Sequence, residues 1–350
     1  MMEDQIRHIV REESLFAGIR KPVKSREELI PRMQAARQAC GDKITGPVVN
    51  IFRFDTPVDG FDSEIGYPVA SAVDMGEMRT HTLRKMHFFS LMHKGPASTL
   101  RETTLKIHEH LNRVGLSPEL EQVEVYHQFD PENPDGNLIE TRVSFLAWPE
   151  VYREQVLRVL GTELTAEIWQ GGEQITPFTL VDERAAWVGA SLARLKEHTN
   201  QDQQFDILSR VALVRPLEDV LKYKQIYDES RDANQILEIQ NEQLKGGPTG
   251  GFIDPPRYGD GVLHLSKVAY NRAAYDAAAG HDETRKAYCF CSLIREAKAP
   301  QVDPIFCYRA AGWARQFWEP ILGVEFKKCT ITHSILKGDN FCAWDYYLPE

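Results

Sequence analysis

The chain lacks what several protein classes need. No apolar run approaches the roughly 18 residues of a membrane span, so no helical anchor is expected. Positive charge is in deficit: 41 Lys and Arg stand against 51 Asp and Glu, a formal net charge of −10. Phosphate binding needs clustered Lys and Arg, so direct nucleic-acid binding is not expected. The start, Met1-Met-Glu-Asp-Gln-Ile-Arg-His8, has none of the apolar core of a signal peptide. Six cysteines in 350 residues make no disulfide framework. The compartment is therefore read as cytoplasmic, with reduced thiols. Gly246–Gly251 is rich in glycine but lacks the Gly-Lys-Ser/Thr ending of a phosphate loop, and reads as a connector. Only about fourteen residues precede the first strand, too few for a helix-turn-helix head.

What is present centres on Thr82–Pro149. Thr82-Leu-Arg-Lys-Met-His-Phe-Phe-Ser-Leu-Met-His93 reads as a strand, and Lys94-Gly95-Pro96 as a turn. Leu100, Thr104, Ile107, Leu111 and Val114 then mark one side of a helix. Gln122–Tyr126 and Leu138–Leu146 read as two further strands. The apolar period changes from 2 to about 3.6 and back, which is β-α-β-β. The pattern occurs once upstream. Leu15–Val23 is a strand, a helix runs to about Ala39, and Val49-Asn-Ile-Phe52 matches Val123-Glu-Val-Tyr126. Asp55-Thr-Pro57 matches Asp130-Pro131, and Ser63-Glu64 matches Ile139-Glu140. Ser25…Glu28 and Thr99…Glu102 have the spacing of capping boxes at equivalent points. A duplicated β-α-β-β domain follows, with Glu64 and Glu140 at related positions.

At these residues the sequence resembles the GyrI-like effector-binding domain, which also occurs in multidrug-responsive regulators of the AraC and MerR types. Ile44-Thr-Gly-Pro47, Asp62–Val69, His93-Lys-Gly-Pro96, Glu124-Val-Tyr126 and the Glu140 strand carry the likeness, over roughly residues 5 to 149. The resemblance implies a pseudo-twofold cleft for small hydrophobic or cationic ligands, with an acidic residue at its floor. Glu140 matches the acidic position and Glu64 its partner. A strand glutamate can instead face solvent. If Glu140 is half-buried, a ligand cation and aromatic faces would offset the desolvation. Tyr67, Phe88, Tyr126, Phe145 and Trp148 are candidate walls, with core packing as the alternative. Glu140 is also the residue that would serve as acid or base if the domain hydrolyses its ligand.

The length fits two domains, expected at 1–149 and 150–350. The second reads as a helix-rich α/β domain ending in a β-hairpin, so the whole is α+β. A long polar helix is expected over about 217–245, opened by Arg215-Pro216 and stopped by the 246–251 connector. Val220, Tyr227, Leu237 and Leu244 lie near a heptad seam, which would make a homodimer; a helix packed on its own domain is the alternative. Five cysteines, Cys289, Cys291, Cys307, Cys329 and Cys342, crowd the C-terminal end. This half resembles 2-amino-thiazoline-4-carboxylate hydrolase-like proteins and, more distantly, 4-vinyl reductase-type domains, on Phe306-Cys-Tyr-Arg309, Gly312-Trp313 and Gly338-Asp-x-x-Cys342. Cys289, Cys291, Cys307 and Cys342 with His333 are a candidate zinc shell. The spacing is Cys-x-Cys with no second pair, and free thiols also pack as small apolar groups. Cys307 beside Arg309 is the candidate nucleophile. The expected function is a small-molecule sensor without its own DNA-binding domain. The alternative is a hydrolase of a reactive or heterocyclic compound, through Glu140 or Cys307.

Overall fold

The structure is a computed structural model. It describes residues 5–54, 58–114, 116, 118–212, 215, 217–245, 247, 250–298 and 300–349, with backbone alone at 217–219. Asp55–Pro57 of the repeat, Pro216 at the helix start, and Gly246, Pro248 and Thr249 of the connector lie outside them. The chain divides after Leu146 into two units.

The first unit runs β1 (Arg7–Arg11), β2 (Ser14–Val23), α1 (Leu29–Cys40), β3 (Val48–Arg53), β4 (Phe61–Pro68), β5 (Arg79–Leu83), β6 (Met86–Lys94), α2 (Leu100–Arg113), β7 (Pro118–Gln128) and β8 (Leu138–Phe145). The eight strands form one antiparallel sheet in the order β1-β6-β8-β7-β3-β4-β2-β5. Read from both ends, β1 answers β5, β6 answers β2, β8 answers β4 and β7 answers β3. The expected duplication is therefore a twofold of the sheet, with β3 and β7 at its centre.

Each half also sends a short strand to the other. β1 pairs with β6 and β5 with β2. This corrects the single strand expected over Thr82–His93, which is two strands broken at Arg84–Lys85. The capping boxes are corrected as well. Each helix is entered through a tight turn, Arg26–Glu28 or Ala97–Thr99. Thr99 is itself helical, and its hydroxyl donates to Pro96 O. Glu28 accepts from the Lys24 N–H instead of capping Ser25.

Both helices lie on one face of the sheet. Alternation along the strands sends Ala17, Ile19, Ile65, Tyr67, Phe52, Tyr126 and Ile139 to that face, packed with Leu29 and Met33 of α1 and Leu100 of α2. Phe16, Ile51, Phe88, Val123 and Val125 cluster on the opposite face.

The second unit runs α3 (Trp148–Ile168), α4 (Val181–His198), α5 (Gln201–Ser209), α6 (Leu217–Ser230), α7 (Ala233–Lys245), β9 (Arg257–Gly259), β10 (Val262–Ser266), α8 (Arg272–Ala277), α9 (His281–Tyr288), α10 (Ser292–Arg295), α11 (Tyr308–Leu322), β11 (Lys328–His333) and β12 (Ala343–Tyr347). Its sheet has the order β11-β12-β10-β9, and β11 and β12 make the expected C-terminal hairpin. Gly312 is required where α11 meets α5: a Cβ there would stand 1.8 Å from Ser209 O.

The long helix over 217–245 is two helices. Arg231 turns to φ 56°, and the Asp232 carboxylate accepts from Asn234 N–H to start α7. The heptad seam is broken between Tyr227 and Leu237. Val220 and Leu237 are buried within the chain. Among the described residues no helix is long and apolar enough to cross a membrane.

Candidate functional site

The centre of the twofold falls between Asn50 of β3 and Glu124 of β7, which are direct cross-strand partners. Both are fully buried. Phe52 and Tyr126, two residues on, share their face by the strand period and belong to the cluster that includes α1 and α2 residues. Tyr126 meets Phe129 edge-on at 5.2 Å, and Phe52 meets Phe61 at 6.1 Å. An acid thus sits among aromatic rings beneath the two helices.

Glu124 is held on one oxygen alone. Arg26, in the turn before α1, places Nη1 2.5 Å from Oε2, and the Tyr126 hydroxyl donates to the same Oε2 at 2.5 Å. The Arg26 guanidinium also stands 5.9 Å from the Phe52 centroid. Burial lowers the affinity of Arg26 for its proton, but the charge and hydrogen bond of Glu124 outweigh it and the net shift is upward. Burial, with the Glu124 anion, pushes the Tyr126 phenol well up. Glu124 Oε1 and Asn50 Nδ2 make no hydrogen bond, although both are buried. Asn50 Oδ1 accepts from Ser63 Oγ at 2.7 Å. Leaving a buried carboxylate oxygen unbonded is costly, and a polar or cationic guest would relieve it.

Glu64 and Glu140 stand on the other face, at equivalent places: Glu64 opposes Ile51 and Glu140 opposes Val125. Each is 3% exposed. Each carries its own basic partners. Arg53 Nη1 is 2.6 Å from Glu64, with His81 at 3.5 Å. Arg142 Nη2 is 2.7 Å from Glu140, with His127 at 3.2 Å and Arg7 at 3.7 Å. Gly18 makes room on the Glu64 side, since a Cβ there would lie 2.8 Å from Glu64 Cγ. Burial raises the Glu140 carboxyl, but Arg142, helped by Ser90 and His127, outweighs burial and leaves it below the ordinary 4.5.

A depressed carboxyl stabilises the fold above its unfolded value and loses that contribution as pH falls through its folded one. Glu140→Gln is therefore expected to lower stability at pH 6 and to cost less near pH 3. Urea unfolding at both pH values checks this, and an equal loss at both would remove the Glu140 charge as the cause.

The remaining candidates are dispersed. Phe88 lies in the cluster on the Glu140 face. Tyr126 lines the Glu124 position. Tyr67 packs with Ala36 and Cys40 against α1. Phe145 stacks on Phe89 at 4.8 Å, which in turn meets His110 of α2. Trp148 belongs to the second unit, stacked on Tyr152 at 4.8 Å. His87 and His93 are buried and bonded to His8 and Thr103.

In the second unit, among the described residues no three His, Cys, Asp or Glu side chains gather as a metal shell would require. The four candidate thiols line one small cavity, while His333 stacks on Phe341 at 4.5 Å. The nucleophile expectation shifts too. Arg309 Nη1 points to Cys291 Sγ at 3.6 Å, whereas Cys307 meets Ser334 Oγ at 3.2 Å. A hydrogen bond with Cys342 and burial push the Cys307 thiol up.

The first unit is thus a twofold β-α-β-β domain with an acid buried at its axis. Residues 5–143 match the family model described as the GyrI-like small molecule binding domain. Among solved structures, the chain is similar to the EcmrR C-terminal domain, at 16% identity over 41% of this chain and 98% of that one, TM-score 0.35. It is similar to a hydrolase from Listeria innocua, at 13% identity over 41% and 92%, TM-score 0.33. It is also similar to SAV2435 bound to tetraphenylphosphonium, at 11% identity over 42% and 96%, TM-score 0.31. In the EcmrR–DNA complex, the match covers 58% of the EcmrR chain and 41% of this one, at 16% identity and TM-score 0.36. No curated protein matches the chain.

Proposed function

We propose that the first unit is a receptor for a hydrophobic organic cation, with Glu124 as the counter-ion and Phe52, Tyr126 and Phe129 as ring contacts. The supporting observation is the wholly buried Glu124 carboxylate on the sheet axis, one oxygen unbonded and the other held by an arginine that is itself 36% exposed. A guanidinium over an aromatic ring and against a carboxylate has the contacts that an aromatic cation would make. Arg26 is then a resident substitute, displaced when the ligand enters. Glu140 and Glu64 are less suited, because their arginines are more deeply held, Arg142 at 20% and Arg53 at 14% exposed against 36% for Arg26, and each carboxylate has a histidine beside it as well. The protein acts as a sensor or store for such compounds in the cytoplasm.

Calorimetric titration with tetraphenylphosphonium is the test, with uncharged triphenylphosphine oxide as the control. The expected result is one site per chain that prefers the cation by about tenfold or more, the scale of one charge-assisted contact. The compound should be recovered unchanged. Equal affinity for both compounds would overturn the counter-ion role. Consumption of an ester or heterocycle in molar excess over protein would favour the hydrolase reading instead.

A further inference from the structure

The second unit holds a feature that ligand binding in the first does not use. Cys289, Cys291, Cys307 and Cys342 line one cavity, together with Lys267 and Leu336. The void is about 20 Å³, room for a molecule of roughly water size. Cys289 and Cys291 are adjacent in space, and the Cys291 N–H points to Cys289 Sγ at 3.4 Å. Arg309 is buried, its Nε has no hydrogen bond, and its Nη1 approaches the Cys291 sulfur. A buried guanidinium requires an anion. The contact the structure gives it is the Cys291 sulfur, at 3.6 Å.

We propose that Cys289 and Cys291 are a dithiol site that reduces hydrogen peroxide, with Cys291 as the attacking thiolate and Cys289 as the resolving thiol. The Cys291 sulfur attacks one peroxide oxygen and the O–O bond breaks. The departing hydroxide takes the Cys289 proton and leaves as water, and Cys291 becomes a sulfenic acid. The Cys289 thiolate then attacks the Cys291 sulfur, the S–O bond breaks, and the second oxygen leaves as water after taking a proton from solvent. The two thiols give up two electrons and end as a disulfide, which balances the peroxide reduced. Arg309 positions the thiolate and faces the oxygen that leaves.

The electrostatics agree with this geometry. The groups facing Cys291 are Cys289, Arg309 and Lys267, with Cys307 near and hydrogen-bonded to Cys342. The hydrogen bond from Cys289 is the largest influence, and with Arg309 and Lys267 it brings the Cys291 thiol down to about 5 against the opposing effect of burial. The same bond and burial push Cys289 well up, so it keeps the proton it must give. At pH 6 about 90% of Cys291 would be thiolate, against about 0.3% of an ordinary thiol. The lower basicity takes back part of that factor of roughly 300, leaving an advantage of about eightfold.

The test uses the full, reduced chain with hydrogen peroxide near pH 6, read by intact mass and peptide mapping. The first product should be two hydrogens lighter, with both lost thiols in the peptide spanning Cys289 and Cys291. Its rate should change little between pH 6 and 8. Cys289→Ser should stop at a sulfenic acid on Cys291, trapped by dimedone, and Cys291→Ser should remove the fast phase. The bulkier tert-butyl hydroperoxide should react about tenfold more slowly or worse, because the void admits little beyond a water-sized molecule. A first disulfide elsewhere, such as Cys307–Cys342, would overturn the assignment in wild-type protein, whatever the variants do. So would equal rates for the two peroxides.

Discussion

Glu124→Gln is expected to weaken tetraphenylphosphonium binding by about 2–4 kcal/mol, roughly 30- to 900-fold in Kd, while Glu140→Gln leaves it within about twofold. The two carboxylates differ in what already neutralises them. Glu140 is flanked by Arg142, His127 and Arg7, so a further cation gains little there. An Oε1 without a hydrogen bond is common to both, but Glu124 has one arginine alone, Arg26, sharing Oε2 with the Tyr126 hydroxyl. The amide of Gln keeps the shape and removes the charge, so the loss reads the ion pair and not the packing. Titrating wild type and both variants side by side decides it. If Glu140→Gln lost the ligand and Glu124→Gln kept it, the site would move to the opposite face of the sheet.

How far the sequence leads is clearest in the first unit. The change of apolar period gives the two β-α-β-β halves, and the match of Val49–Phe52 to Val123–Tyr126 fits the twofold of the sheet: the two strands pair antiparallel about Asn50 and Glu124, the one matched pair that is also a cross-strand pair. The equivalence of Glu64 and Glu140 follows from it. The edge strands were not legible. Arg7–Arg11 and Arg79–Leu83 are five residues each, too short for a period, and each finds its partner in the other half. Nor was Glu124, although it lies in a segment read correctly as extended. Val123, Glu124, Val125 and Tyr126 are all buried, so β7 is covered on both faces and alternation does not say which face the helices take. The usable signal was the alignment itself, which pairs Glu124 with Asn50: two polar residues at the same point of a core strand.

The second unit shows a different limit. The crowding of cysteines near the end of the chain is plain from composition, and the structure brings four of the five to one cavity. Chain proximity to Arg309 pointed to Cys307, but Cys307 sits in the tight turn just before α11 and bonds to Ser334. Arg309, in the first turn of that helix, reaches Cys291 instead, eighteen residues away in sequence. Such a partner is set by tertiary packing, which local spacing does not encode. The interruption at Arg231 is similar. A continuous polar pattern suggests one helix, and only a local hydrogen-bonding preference of Ser230 and Asp232 divides it.

Arg26→Met is expected to lower stability by about 3 kcal/mol and to make the protein respond more strongly to tetraphenylphosphonium. The variant leaves the wholly buried Glu124 carboxylate with the Tyr126 hydroxyl alone. Breaking a buried pair costs about 3–5 kcal/mol, and the lower end applies because the Arg26 side chain is 36% exposed. A bound cation restores the missing charge, and in the variant it has no guanidinium to displace. At equal ligand concentration the melting temperature should therefore rise further in Arg26→Met than in wild type, since ligand stabilisation grows with affinity. Arg26→Lys, which keeps the charge, should stay close to wild type in both respects. An arginine that only braces the turn before α1 would give the same loss of stability, but the ligand would shift variant and wild type equally. The size of that shift, and not the loss itself, distinguishes a resident cation from a structural one.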